Sequence, residues 1–108
     1  MNKERVSVVI PTMWRSMNKL MRMLQEYEKC GLVSEVILID NDPSRTPDLA
    51  PFKKIKYLTK GENVYVNPAW NWGAETAENE TVLLANDDVY VRGLSFVLAA
   101  MLSSGYGI

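Results

Sequence analysis

The sequence predicts an α/β fold in which a mostly parallel, open sheet carries helices on its faces. Residues 6–10 and 36–39 form continuous apolar runs, which are typical of strands covered on both faces. A segment with apolar residues at three- and four-residue spacing lies between these runs. Strands that alternate with helices in this way are joined by crossover connections, so we expect them to lie parallel.

Length and composition limit the class of protein. With 108 residues and 47% apolar content, the chain is expected to form a single globular domain over residues 1–108. The 12 basic and 13 acidic side chains give a net charge of −1, without the clustered positive charge that binding to a phosphate backbone needs. Nucleic acid is therefore not expected as a partner.

The chain contains one cysteine, Cys30, and no histidine. This excludes a disulfide within the chain, a tetrahedral Cys/His zinc site and any mechanism that needs an imidazole base. The first apolar run is interrupted by Pro11, so it is too short for a signal-peptide core or a membrane span. We expect no membrane span and a cytoplasmic location.

Local signals divide the first half of the chain into strand, helix and strand. Pro11 is expected to end the first strand, Ser16 to cap the following helix and Gly31 to stop it. The polar residues 40–44 predict a turn after the second strand. The helix has an apolar stripe that is expected to face the core, formed by Met17, Leu20, Met21, Leu24 and Tyr27.

The third strand and the second helix follow. Residues 55–58 alternate in polarity, so we place this strand at an edge of the sheet. Asn67 and Pro68 suit the cap and the first position of a helix that runs to about Glu78. Small residues along one side of this helix would allow it to lie close to the sheet.

A fourth strand is predicted at residues 82–85, followed by an apolar helix at residues 94–102. The predicted strand order is three-two-one-four. Ligands of open α/β sheets bind beyond the carboxyl ends of the strands, where the strand order reverses. We therefore expect the ligand site in the crevice between the first and fourth strands.

Polar side chains follow three of the predicted strands. Residues 11–15 follow the first, Asp40-Asn41-Asp42 the second and Asn86-Asp87-Asp88 the fourth. Residues 11–16 contain no glycine and the chain has no Gly-Lys-Ser/Thr, which argues against a dinucleotide-binding turn and a P-loop. The third group could hold a hard divalent cation against a diphosphate, or it could be a solvated turn.

Four segments of the chain occur in a specific order and spacing. They are Val6-Ser7-Val8-Val9-Ile10-Pro11-Thr12, Val36-Ile37-Leu38-Ile39-Asp40-Asn41, Ala69-Trp70-Asn71-Trp72-Gly73-Ala74 and Val82-Leu83-Leu84-Ala85-Asn86-Asp87-Asp88-Val89. Together they resemble the N-terminal half of family 2 glycosyltransferases, which have the GT-A fold. The resemblance covers nearly the whole chain, and it implies binding of a nucleotide-diphosphate sugar.

The resemblance also implies which residues contact the nucleotide. Thr12 would border the base and Asp40 would hydrogen-bond the nucleoside. Asn71 and Asp87 would make further contacts to the nucleotide. Arg15 could reach a phosphate from the end of the first strand, or it could remain solvated beside the start of the helix.

The metal ligands implied by the resemblance are Asp88 and Asn86, which would hold Mg²⁺ or Mn²⁺ against the donor diphosphate. Such a cation would stabilise the negative charge on the departing nucleoside diphosphate. Asn86 stands where many relatives have Asp, and Trp70 stands where the family usually has a basic residue. We therefore expect a weakened affinity for nucleotide.

The family's catalytic domain has a second half that supplies the acceptor site and the carboxylate base, and residues 1–108 offer no substitute for that base. We expect this half to be absent and the chain not to be catalytically complete alone. One alternative is a non-catalytic binding or assembly module that forms homo-oligomers through the exposed edge of the fourth strand or the helix at residues 94–102. Another is that the sequence is part of a longer enzyme.

Several of these residues also have a structural interpretation. Asp40 could cap the turn that follows it instead of binding a ligand. Trp14, Trp70 and Trp72 could stack on a base or sugar, but large aromatic side chains more often fill cores, and we favour the core for the latter two. Cys30 is expected to be packed without a chemical role.

Overall fold

A computed structural model describes residues 5–89 and 92–104. Within these ranges a single sheet contains four strands, β1 (Val6–Thr12), β2 (Val33–Asp40), β3 (Ile55–Leu58) and β4 (Thr81–Leu84). The helices are α1 (Met17–Lys29), α2 (Val66–Thr76) and α3 (Leu94–Ser104), with a short 3-10 helix at Pro43–Arg45. All strand pairs are parallel and the order is β3-β2-β1-β4, which confirms the predicted architecture.

The helices cover both faces of the sheet. α1 and α3 pack on one face, and α2 packs on the other. The chain passes from β1 to β2 through α1, and it returns from β3 to β4 through α2. The two crossovers run in opposite directions across the sheet, and their helices lie on opposite faces. Two crossovers of the same hand produce this arrangement. The strand order therefore reverses at β1.

The larger core lies between the sheet and α1. Its helix side consists of Leu20, Met23, Leu24 and Tyr27. Three of these were predicted. Met23 was not, and the predicted Met17 and Met21 are only partly buried. Burial raises the pKa of Tyr27 to about 12, because the phenolate would be desolvated there. Cys30 is also buried in this core, with its Sγ 3.3 Å from the Ser95 hydroxyl, which confirms that it is packed.

α2 lies close to the sheet because it presents very small side chains to it. Ala69 and Gly73 are its buried residues. A Cβ atom at Gly73 would lie 2.2 Å from Val9 Cγ1, which is closer than two such atoms can approach, and 3.2 Å from Ile39 Cδ1, which is a tight contact. A larger residue would force the helix away from β1 and β2. The predicted close approach is confirmed.

Pro11 does not end β1, contrary to the prediction. The strand continues through Pro11 to Thr12. The Val9 carbonyl accepts a hydrogen bond from the Ala85 amide at 2.9 Å, so odd-numbered residues of β1 turn their backbone groups toward β4. Pro11 has no N–H for the next bond on that side, and β4 ends at Leu84. Pro11 therefore ends the pairing of β1 with β4 and leaves its pairing with β2 intact.

The start of α2 also differs from the prediction. The helix begins at Val66 with Tyr65 at the cap, so Asn67 and Pro68 lie inside the first turn. Pro68 is tolerated because amides of the first turn have no acceptor within the helix. At α1, Ser16 occupies the predicted cap position, but its hydroxyl makes no cap hydrogen bond.

Other boundaries shift by a few residues. β2 begins at Val33, three residues before the predicted start, because it pairs with the whole length of β1. α1 ends with Cys30 at the C-cap, and Gly31 does not adopt the left-handed conformation expected of a helix stop. β4 lies one residue earlier than predicted, whereas β3 lies where it was predicted, at an edge of the sheet.

α3 is apolar around most of its circumference. Leu94 and Leu98 are buried against the core, whereas Phe96 is 82% exposed and Val97 is 40% exposed. Among the helices in residues 5–89 and 92–104, none is long and apolar enough to cross a membrane. The outward side of α3 is therefore an apolar surface without a covering element in the part of the chain that the structure describes.

Candidate functional site

A cavity of about 380 Å³ opens at the carboxyl end of β1, where the strand order reverses. Its volume lies within the range of small-molecule sites. Loops from the ends of three strands and the start of α2 contribute its walls. The lining residues are Pro11, Thr12, Met13, Arg15, Ser16, Asn41, Asn63, Tyr65, Val66, Asp87 and Asp88.

Four of the residues predicted to contact nucleotide or metal line this cavity together, namely Thr12, Arg15, Asp87 and Asp88. Thr12 is buried, and its hydroxyl donates a hydrogen bond to Asp87 Oδ2 at 2.7 Å. This bond joins β1 to the turn after β4. Arg15 and Asp88 make no hydrogen bond or ion pair within residues 5–89 and 92–104, so both charges are available to a ligand.

The structure does not bring Asn71 and Asn86 into the cavity. Asn71 is exposed on α2, and Asn86 is exposed in the turn after β4, one residue before the carboxylates that line the wall. Their nucleotide and metal contacts stay predictions. The carboxylates of Asp87 and Asp88 are the better placed pair.

Asp40 is fully buried at the end of β2 and accepts four hydrogen bonds through its side chain. Its Oδ1 accepts from the Trp14 indole N–H and from the Asp42 amide, each at 2.8 Å. Its Oδ2 accepts from the Tyr57 hydroxyl at 2.7 Å and from the Thr46 hydroxyl. A carboxylate offers about four acceptor positions. The predicted contact to a nucleoside would therefore require displacement of one of these donors.

Residues in and just after the edge strand β3 donate hydrogen bonds to Asp40. The Thr59 hydroxyl donates to the Asp40 carbonyl at 2.8 Å, beyond the end of β3. Desolvation and the hydrogen bond to Asp40 raise the pKa of Tyr57. The Tyr57 hydroxyl therefore remains protonated and continues to donate at neutral pH.

Trp14 shapes the tight turn between β1 and α1. Its backbone φ of 64° lies in the left-handed region, which residues other than glycine rarely adopt. The Trp14 amide donates to the Thr12 hydroxyl at 2.9 Å, and its indole is 3% exposed within the larger core. These contacts hold the turn that presents Met13 and Arg15 to the cavity. The indole therefore belongs to the core and not to a ligand-stacking surface.

The tryptophans of α2 follow the structural interpretation. Trp70 and Trp72 are partly buried against the smaller core between α2 and the sheet, as we favoured. Lys60 Nζ lies 4.4 Å from the ring centroid of Trp72, a cation–π contact. The Trp70 indole N–H is buried and has no hydrogen-bond partner in the part of the chain that the structure describes.

Sequence reasoning assigned no ligand contact to Asn41, Asn63 and Tyr65, which also line the cavity. Asn41 could have been inferred, because it lies in the polar triplet after β2. Asn63 and Tyr65 belong to no recognisable motif. They reach the cavity because the start of α2 lies at the same end of the sheet as the turn after β2, where the Asn41 Oδ1 accepts a hydrogen bond from the Val64 amide at 3.1 Å.

The carboxylates on the cavity wall are chemically suited to a divalent cation only if a ligand completes its coordination shell. No group of three or more His, Cys, Asp or Glu side chains that could bind a metal occurs within residues 5–89 and 92–104. Mg²⁺, however, commonly takes one or two protein carboxylates and completes its shell with phosphate and water. Asp88 and the Oδ1 atom of Asp87 supply such hard oxygen donors on the cavity wall.

Two of the solved structures with a similar fold are of S. aureus TarS, a family 2 glycosyltransferase. A crystal structure of TarS 1-349 matches 93% of this chain with a TM-score of 0.69 and 20% identity. The chain has a GT-A-like fold. A second TarS crystal structure matches 92% of this GT-A-like chain with a TM-score of 0.67 and 20% identity. The sequence matches no family model and no curated relative.

The GT-A-like chain spans 32% of the first TarS chain and 20% of the second. At this level of identity, the similarity establishes the fold. It confirms the GT-A resemblance that the four sequence segments indicated, and it leaves the ligand to be argued from the cavity itself.

Proposed function

We propose that the cavity binds a nucleotide-diphosphate sugar through Mg²⁺ or Mn²⁺, as the donor-binding part of a glycosyltransferase. The observation that supports this proposal is the meeting of Asp87, Asp88, Thr12 and Arg15 in one cavity at the strand-order switch of a GT-A-like sheet. Open α/β sheets bind their ligands at this position.

Each side chain has a distinct task in this proposal. Asp88 and Asp87 would hold the cation from the cavity wall. The bound cation would stabilise the negative charge of the nucleoside diphosphate. The Thr12 hydroxyl keeps Asp87 in position, because it donates to Oδ2 and leaves Oδ1 available. Arg15 brings a positive charge to the same cavity and can pair with a phosphate.

We expect donor binding without sugar transfer by this chain alone. Transfer also needs a general base within hydrogen-bond reach of the acceptor hydroxyl. Among the cavity-lining residues, the carboxylates are Asp87 and Asp88, and the proposal uses both for the cation. The base and the acceptor site would come from residues outside this chain. A cytoplasmic location belongs to the same proposal, and cell fractionation tests it.

Isothermal titration calorimetry tests the proposal with uridine and guanosine diphosphates, with and without Mn²⁺. We expect binding that depends on Mn²⁺, and we expect Asp88→Asn to weaken it at least about tenfold because a direct metal ligand is lost. Glu75→Gln is the matched control, since Glu75 is an exposed acid on α2 that does not line the cavity. Equal binding with and without Mn²⁺, or equal binding by Asp88→Asn, would contradict the metal assignment.

A second candidate function is an assembly module that forms homo-oligomers. Two separate observations favour it: Phe96 and Val97 are exposed on the apolar side of α3, and β4 lies at an edge of the sheet. Native proteins usually cover or pair such edges and apolar surfaces. The two candidates differ in their readout, because the first concerns nucleotide binding and the second concerns particle mass in solution.

A further inference from the structure

We infer that Trp14 is a positioning residue for the proposed metal ligand Asp87, on which it acts through the Thr12 hydroxyl. The inference rests on the proposed function, because it concerns the cation that Asp87 would help to hold. Trp14 itself does not line the cavity. It is the central member of a chain of hydrogen bonds that runs from the end of β2, through the turn after β1, to the turn after β4.

The two neighbours of the Thr12 hydroxyl decide where its proton points. The Trp14 backbone N–H donates to Thr12 Oγ1 at 2.9 Å, and Thr12 Oγ1 donates to Asp87 Oδ2 at 2.7 Å. A backbone N–H can only donate, whereas a hydroxyl can accept and also has one proton to donate. With the Trp14 amide on its acceptor side, the hydroxyl directs its proton to the carboxylate. Thr12 is 2% exposed, so water has little access to this bond.

The hydrogen bond from Thr12 orients the Asp87 carboxylate. The turn that carries Asp87 and Asp88 follows Ala85, whose amide donates to the Val9 carbonyl at 2.9 Å. Among the residues that the structure describes, the side chains of Asp87 and Asp88 make one hydrogen bond, the one from Thr12. Partners of this kind set the orientation of carboxylates that bind metals. Without the Thr12 hydroxyl, the Asp87 carboxylate would therefore be free to rotate.

The backbone amide of Trp14 depends on its own side chain for its position. The residue has a φ of 64°, a left-handed conformation that persists only where the surrounding structure enforces it. The indole provides the fixed point, because it is 3% exposed in the core and its N–H donates to Asp40 Oδ1 at 2.8 Å. Loss of that bond would allow φ to relax, and the Trp14 amide would turn away from Thr12.

Asp40 is a fixed anchor for the indole of Trp14. It is fully buried, its Oδ1 also accepts from the Asp42 amide, and its Oδ2 accepts from the Tyr57 hydroxyl at 2.7 Å. Because Tyr57 belongs to β3, the chain of hydrogen bonds crosses the carboxyl edge of the sheet from β3, through β2 and β1, to the turn after β4. The orientation of Asp87 therefore depends on the ends of the other three strands.

Isothermal titration calorimetry of uridine diphosphate, with and without Mn²⁺, tests the inference in Trp14→Phe, in Thr12→Val and in the variant that combines them. Trp14→Phe keeps an aromatic ring in the core and removes the indole N–H. Thr12→Val keeps the shape of the side chain and removes the hydroxyl. We expect each single variant to weaken the Mn²⁺-dependent binding about tenfold, as loss of a group that orients a metal ligand commonly does.

The combined variant distinguishes positioning from a general loss of stability. If Trp14 acts through Thr12, its effect disappears once the hydroxyl is absent. The combined variant should then bind about tenfold more weakly than the parent, as each single variant does, whereas independent effects would multiply to about hundredfold. Thr12→Ser keeps a hydroxyl at this position, so we expect it to bind nearly as well as the parent.

Trp70→Phe is the matched control for Trp14→Phe. It removes the same atoms from an indole whose N–H has no hydrogen-bond partner among the described residues, and Trp70 does not line the cavity. We expect this control to bind uridine diphosphate as the parent does. Thermal unfolding followed by circular dichroism verifies that each variant is folded at the temperature of the titration.

The outcomes separate this inference from the proposed function. If Asp88→Asn weakens Mn²⁺-dependent binding but Trp14→Phe binds as the parent or as Trp70→Phe does, the inference is wrong and the proposed function stands. The same holds if the losses of the two single variants multiply. If Trp14→Phe does not fold, equal binding by Thr12→Val and Thr12→Ser overturns the inference. If the parent does not bind uridine diphosphate with Mn²⁺, the proposed function fails and the inference fails with it.

Discussion

Trp14 and Trp70 place the same indole group in two different polar environments. The Trp14 indole N–H donates to the buried Asp40 carboxylate at 2.8 Å. The Trp70 indole N–H is buried without a partner in the part of the chain that the structure describes. A hydrogen bond to a charged group contributes about 1.5–3 kcal/mol, whereas an unpaired buried donor is unfavourable. At the residue scale, these two side chains therefore have opposite polar contributions to stability.

We predict that Trp14→Phe lowers the free energy of unfolding by about 1.5–3 kcal/mol more than Trp70→Phe does. Both substitutions remove the same atoms, but Trp14→Phe also removes the hydrogen bond to Asp40, whereas Trp70→Phe removes an unpaired donor. Urea denaturation followed by circular dichroism measures both values. Equal losses would show that the bond between Trp14 and Asp40 does not contribute to stability.

At the scale of elements, a polar network fastens the link between α2 and β4 to the sheet. Ser7 of β1 donates to Glu35 Oε2 of β2 at 2.6 Å, and the Glu78 amide donates to the same oxygen at 2.6 Å. Asn79 Nδ2 donates to the Ser7 hydroxyl at 2.9 Å, and Lys56 Nζ lies 3.2 Å from Glu35 Oε1. The network therefore joins β1, β2, β3 and the end of the α2 crossover at the amino ends of the strands, opposite the cavity.

This network makes the stability of the crossover dependent on pH. Desolvation acts to raise the pKa of Glu35, but the hydrogen bonds from Glu78, Ser7 and Lys56 outweigh it, so the folded pKa is lowered. A lowered folded pKa means that the ionised form stabilises the folded state above the unfolded pKa. That contribution is lost as the pH falls through the folded pKa.

We predict that the free energy of unfolding falls as the pH decreases below about 4.3, the ordinary pKa of glutamate. In Glu35→Gln this dependence should be weaker, and stability at neutral pH should fall by about 1–3 kcal/mol because the charged acceptor is lost. Urea denaturation across this pH range measures both effects. Glu80→Gln, at an exposed acid near the same link, is the control, and an identical pH profile for Glu35→Gln and the parent would contradict the role of Glu35.

At the scale of the whole molecule, one side of the chain has an exposed apolar surface. A domain of 108 residues buries roughly 60–68% of the surface that its unfolded chain exposes, so its core is modest. β4 lies at an edge of the sheet, and α3 presents Phe96 with 82% of its surface exposed. A second copy of the chain could cover this surface through a two-fold interface.

If assembly is the function, the mass of the particle in solution depends on α3. In that case light scattering at micromolar concentration should detect a dimer, and Phe96→Ser should convert it to a monomer because the centre of the apolar surface is lost. Val66→Ser is the control, since Val66 is 45% exposed on α2. A parent protein that remains monomeric would eliminate the assembly function and leave the nucleotide site unaffected.

The sequence by itself determined the kind and order of the elements. Apolar runs and helical spacing are local properties, and they predict parallel strands joined by helical crossovers. The predicted strand order, β3-β2-β1-β4, is also the observed one. The same reasoning placed Thr12, Arg15, Asp87 and Asp88 at one end of the sheet, because the ends of parallel strands converge there. The boundary at Pro11 was wrong because pairing with a neighbouring strand, and not the residue itself, decides where a strand ends.

Only the tertiary structure decided how the polar groups at this end are used. Asp40 has the residue type and position of a ligand contact, yet four donors from separate segments saturate it. Asn63 and Tyr65 carry no motif, and they enter the cavity because the start of α2 packs beside the turn after β2. Hydrogen-bond saturation and cavity walls depend on residues distant in the chain, so no local pattern encodes them.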